Sequence, residues 1–182
     1  MEYEDSYVKH RRMCDLAWRL LHHEARTHTV FEWTGLSERS VRGLLRRYGS
    51  PLGDNKLKRP RGQAPYKIEQ VLRSPRKRLE AAIFAQNCVR YGAVDPLKVG
   101  ARTSLPDIER GELICTAYET FKRDFPASSL TIEEGMLLVT TLASSQEYAL
   151  EQCDRCDGPV LRDRLVLNPQ QCETCGPMLC PA

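Results

Sequence analysis

Two Cys-x2-Cys pairs, Cys153-Asp-Arg-Cys156 and Cys172-Glu-Thr-Cys175, stand 15 residues apart and constrain this chain more than any other feature. Two residues between thiols let one tight turn aim both sulfurs at a single metal, and two such turns complete a thiolate tetrahedron around Zn²⁺. Gly158 and Gly176 follow the pairs closely, where a backbone folding beneath the metal calls for φ > 0. One structural zinc ion per chain, held by Cys153, Cys156, Cys172 and Cys175, is therefore expected. A closed shell of four cysteines leaves no position for an activated water, so the metal is expected to clip the fold and not to catalyse.

The remaining cysteines do not suggest a disulfide framework. The stretch from Met1 to Ser6 is acidic and lacks the basic-then-apolar pattern of a secretion signal. No apolar run approaches the length of a membrane-spanning helix. A cytoplasmic location with reduced thiols is expected. On that reading Cys14, Cys88 and Cys115 are small core residues, and Cys180 is an exposed thiol or a spare ligand.

Charge is divided unevenly along the 182 residues. Residues 1–100 hold 20 Lys+Arg against 11 Asp+Glu, while residues 101–182 hold 7 against 13. The window 39–78 alone carries 13 basic and 2 acidic residues. Such a local excess is the footprint of a polyanion partner, because phosphate binding is driven by counterion release.

Apolar spacing predicts a mainly helical chain. Met13, Leu16, Ala17, Leu20 and Leu21 mark a helix over 7–26. Two shorter helices flank Thr34-Gly-Leu-Ser37, with Ser37 a natural N-cap. Residues 49–65 form a basic loop rich in Gly and Pro. Further helices are expected over 76–91, 106–124 and 131–143, followed by strands over 146–151 and 159–167. The boundary is placed between a helical domain (1–150), which binds DNA and the partner, and a zinc-ribbon-like four-cysteine segment (151–182).

The N-terminal half also holds a helix-turn-helix-like element. With Gly35 as the turn glycine, Val30, Leu36, Val41 and Leu44 stand where two helices must pack. Phe31 and Thr34 depart from the usual small and apolar choices at their positions. The second helix then presents Glu38, Arg39, Arg42, Arg46 and Arg47 outward, and arginines so placed can reach base edges in the major groove. Lys56, Lys58, Arg59 and Arg61 of the basic loop are expected to grip phosphates.

Other chemistry is not indicated. His22, His23 and His28 have no Cys or carboxylate partners at ligand spacing and read as surface or capping residues. The chain has no zinc-protease, phosphate-loop, dinucleotide or nucleophile-elbow motif, so an enzyme is not expected.

Gly35-Leu-Ser, the arginine-rich helix, Tyr48-Gly-Ser-Pro51, the basic loop and the two cysteine pairs with a hairpin-like insert come in an order that resembles FlhC, the C subunit of the bacterial flagellar master transcription activator. The resemblance runs from about residue 10 to 176. It implies a mostly helical fold ending in a zinc-ribbon-like segment. It also implies hetero-oligomer assembly with an FlhD-type subunit, binding to promoter DNA and recruitment of RNA polymerase. The four zinc ligands of that family fall on Cys153, Cys156, Cys172 and Cys175, whereas the basic residues are nominated from charge and position. The expected function is that of a DNA-binding activator subunit for flagellar and other promoters. The alternative is a general nucleic-acid-binding zinc-ribbon protein associated with RNA or the ribosome. Few aromatic residues interleave with the basic ones, which disfavours base stacking and so the alternative.

Overall fold

A computed structural model of the protein describes residues 6–48, 60, 62–95, 107–144, 147–166 and 172–176. The first helix, α1 (Ser6–His22), buries Leu16, Ala17, Leu20 and Leu21 along one face. It ends before the expected residue 26 because Glu24 takes a left-handed φ of 62°. The Glu24 N–H then donates to the Leu21 carbonyl and the Ala25 N–H to that of Leu20, closing the last turn. Glycine usually fills that position, so the stop is not legible in the residue types.

Helix α2 (Thr27–Thr34) ends at Gly35, which adopts φ 68°. Leu36 and Ser37 complete the turn into α3 (Glu38–Tyr48). Ser37 Oγ accepts from the Ser40 N–H at 3.2 Å, as expected of an N-cap. Val30, Leu36 and Val41 are buried at this junction, but Leu45 and not Leu44 completes the seam; Leu44 is half-buried at its edge. Thr34 is buried and satisfied: its hydroxyl donates to Val30 O and accepts from the Leu36 N–H. Phe31 points outward, 42% exposed, and so does not obstruct the approach of the helices.

A short helix that periodicity did not predict, α4 (Ile68–Val71), precedes α5 (Pro75–Arg90). Four residues are too few to show a 3.6-residue rhythm. Ser74 caps α5 and Pro75 opens it, a pairing suited to a first turn whose N–H groups lack partners. Then follow α6 (Ile108–Asp124) and α7 (Ile132–Ser144). Thr131 introduces α7 with a reciprocal box: its hydroxyl accepts from the Glu134 N–H while the Glu134 carboxylate accepts from the Thr131 N–H.

The core is aromatic at its centre. Phe84 of α5 meets Tyr118 and Phe121 of α6 edge-on, at centroid distances of 6.0 and 5.9 Å. Two helix interiors carry glycine where neighbours leave no room: a Cβ on Gly135 would lie 2.7 Å from the Phe84 ring, and one on Gly111 would lie 2.7 Å from Leu16. Bidentate pairs from Arg12 to Glu112 and from Arg19 to Glu119 tie α1 to α6. Cys88 and Cys115 lie fully inside, whereas Cys14 is half-buried with its sulfur 3.6 Å from His10 Nε2. His22 and His28 are exposed, and His23 pairs with Glu119 at 3.1 Å.

After α7 the chain forms an antiparallel hairpin, β1 (Tyr148–Gln152) against β2 (Pro159–Asp163), with Leu150 opposite Leu161. The expected boundary between residues 150 and 151 falls within β1. Tyr148 and Leu161 are buried in the same core as Phe84. The described chain is thus mainly helical, with a small two-stranded sheet and a C-terminal cluster of four cysteines. No described helix is long and apolar enough to cross a membrane.

Candidate metal centre and basic helix

The first cysteine pair sits in the turn of the hairpin, since β1 ends at Gln152 and β2 begins at Pro159. The hairpin therefore brackets Cys153 and Cys156, and among the described residues β2 is the only strand between the two pairs. This corrects the expectation of a hairpin-like insert between them. Both pairs fold into the same turn. The Asp157 N–H donates to the Cys153 carbonyl and the Gly176 N–H to that of Cys172, each at 2.9 Å.

The residue that closes each turn is left-handed, Asp157 at φ 55° and Gly176 at φ 75°. Gly176 plays the role expected of it, but Gly158 does not. Aspartate tolerates the left-handed region better than most residues, so Asp157 takes the conformation one position earlier. Gly158 is needed for space instead: a Cβ there would lie 3.3 Å from Cys156 Sγ. Asp157 escaped the sequence reading although the signal was present, because Asp157 and Gly176 each stand four residues after the first cysteine of their pair.

All four sulfurs lie within 4.8 Å of one another. Cys153 and Cys175 are 3.6 Å apart, as are Cys156 and Cys172. A tetrahedral ion about 2.3 Å from each sulfur requires sulfurs about 3.8 Å apart, so the cluster has the size of a metal site. The electrostatics agree. The backbone N–H groups of Arg155 and Cys156 hold the Cys153 thiol below its ordinary range. Burial resists ionisation of Cys172, but the N–H groups of Cys175 and Thr174 and two neighbouring thiols outweigh it and bring Cys172 to about 6. Burial and the adjacent Cys153 push Cys175 up to about 12. The cluster thus favours ionisation at Cys153 and Cys172 and opposes it at Cys156 and Cys175.

The cluster is joined to the helical body. Glu173, between the second pair, forms an ion pair with Arg78 of α5. Beside it Leu79 and Ala82 of α5 face Val160 and Leu161 of β2 around a gap of only about 10 Å³. No sequence pattern pointed to Glu173 or Arg78, whose partnership spans 95 residues.

The nominated basic residues divide between α3 and a segment outside the description. Arg39, Arg42, Arg46 and Arg47 are all exposed on α3. Arg42 pairs with Glu38 at 3.0 Å, and among the described residues the other three meet no carboxylate at ion-pair distance. Lys56, Lys58, Arg59 and Arg61, like Cys180, lie outside the described residues.

Fold and site together define a mainly helical protein with a four-cysteine centre able to hold a structural metal ion. No protein-family model matches the chain, and no curated protein matches it at a significant level.

Proposed function

We propose that the chain is a DNA-binding transcription activator subunit of the FlhC type, working in the cytoplasm with an FlhD-type partner to switch on flagellar and related promoters. The observation that carries this reading is α3, an exposed helix joined to α2 by a glycine-led turn and presenting Arg39, Arg42, Arg46 and Arg47 to solvent. Helix α3 serves as the recognition helix and enters the major groove, where Arg39, Arg42 or Arg46 read base edges. Arg47 and the basic residues Lys56, Lys58, Arg59 and Arg61 hold phosphates. The four cysteines hold one Zn²⁺, chosen over redox-active metals because an all-thiolate tetrahedron suits it. The zinc segment, in the acidic half of the chain, faces the partner or RNA polymerase and not the DNA. No step of this function is enzymatic.

The test is fluorescence anisotropy of a labelled flagellar promoter duplex across a salt series, with and without the partner subunit. Tight binding that needs the partner and resists random competitor is expected. Replacing Arg47 by alanine should lower the salt slope by about one. Equal competition by RNA and random DNA would instead support a general nucleic-acid zinc protein, the second reading drawn from the same basic window.

A further inference from the structure

Every described glycine but one has a reason within the chain. Gly35, Gly62, Gly92 and Gly176 adopt positive φ. Gly111, Gly135 and Gly158 have neighbours that a Cβ would crowd at 2.7, 2.7 and 3.3 Å. Gly43 has neither. It lies in the middle of α3 without a positive φ, and nothing stands within 4 Å of the place its Cβ would occupy. Glycine is among the least favourable residues for a helix interior, and alanine at this position would strengthen α3 without touching any described residue.

The surroundings of Gly43 indicate what approaches it. Arg39, Arg46 and Arg47 stand at i−4, i+3 and i+4, the positions that share its face of the helix. These are the three exposed cations of α3 that no described carboxylate neutralises. A bare Cα flanked by guanidinium groups that meet no carboxylate among the described residues suits a densely anionic surface in close contact. A protein helix lying in the neighbouring groove, where Gly43 borders Trp18, Leu36 and Leu44, accounts for the bare Cα but not for these three cations. Among duplexes, DNA admits a helix into its major groove, whereas the deep, narrow groove of RNA does not.

We infer that Gly43 is the point of closest approach between α3 and duplex DNA, its missing side chain setting how deeply the helix sits while Arg39, Arg46 and Arg47 flank the contact. The inference rests on the recognition-helix reading of α3 and adds the residue that determines the depth of insertion.

The experiment compares the full-length wild type with Gly43→Ala, Gly43→Leu and the double variant Arg46→Ala/Arg47→Ala, which removes one phosphate contact. The probe is a labelled duplex enriched from a randomised DNA pool by the wild-type chain with its partner subunit, which is present in every arm. Gly43→Ala should raise the thermal midpoint by about 2–4 °C, as relief of an unfavourable helix residue does in a chain of this size. It should also weaken duplex binding about five- to a hundredfold, the effect of forcing a methyl group into a close-packed contact. Gly43→Leu should bind more weakly still. The salt slope should stay at the wild-type value in both glycine variants, because no phosphate contact is removed, and should fall in the arginine variant. If the arginine variant loses affinity while both glycine variants bind as the wild type does, the close-approach role of Gly43 is wrong and the recognition-helix reading stands. If the arginine variant also binds normally, α3 is not the DNA surface and both conclusions fall.

Discussion

Glu80 shows how single residues in this protein hold separate elements together. Its carboxylate accepts from Arg76 at 2.8 Å, from the Ser128 hydroxyl at 2.8 Å and from the Ser129 N–H at 3.2 Å, so it ties α5 to the loop between α6 and α7. Burial opposes its charge, but Arg76 and the two serines outweigh burial and hold its carboxyl below the ordinary range. A carboxylate with a lowered folded-state pKa adds stability above its unfolded value of about 4.3, and that contribution is lost as pH falls through the folded value. Glu80→Gln should therefore be less stable than the wild type at pH 7, with the gap closing as the pH approaches 3. Urea denaturation at the two pH values measures it, and a gap independent of pH would show that the charge of Glu80 is irrelevant.

At the scale of elements, the close crossing of α5 and α7 depends on a glycine. The Phe84 ring is fully buried between Tyr118 and Phe121, so it cannot swing away from position 135. Gly135→Ala gains about 1 kcal/mol in helix propensity. It also forces a Cβ to 2.7 Å from the Phe84 ring, an overpacking that typically costs about 1–3 kcal/mol. The variant should be destabilised on balance, as read by a lower midpoint in urea; an unchanged or higher midpoint would mean that α7 can shift away. The identical substitution at Gly43 is expected to have the opposite sign, because packing and not residue type decides the outcome.

At the scale of the whole molecule, the cysteine cluster packs apart from the main core. The main core holds Leu16, Phe84, Ile114, Phe121 and Leu138, whereas Cys153, Val160 and Cys172 form a separate small cluster. Removing the metal with a chelator under reducing conditions should leave the helical circular dichroism largely intact. Hydrogen-exchange protection should be lost at residues 153–160 and 172–176, and Cys153→Ala should reproduce that pattern with less than one metal ion per chain. Collapse of the helical signal on metal removal would show that the cluster supports the entire fold.

Periodic and contiguous signals were legible from the sequence, because local spacing alone decides them. The cysteine pairs foretold a cluster that the fold brings together, the stripe of α1 foretold its buried face, and helices were foretold close to the bounds of α5, α6 and α7. Ser37 and Gly35 marked the turn before α3, since capping and left-handed geometry depend on residue type at one position. What the sequence left undecided needed two distant segments to meet. Leu45, and not Leu44, is the buried leucine of α3, a choice that only packing against other elements makes. The Schellman-type stop at Glu24 and the left-handed Asp157 were imposed by surrounding hydrogen bonds on residues that only tolerate them. Arg78 with Glu173, Glu80 with Ser128, and the contrast between Gly43 and Gly135 exist only in three dimensions, where the neighbour across the fold gives each residue its role.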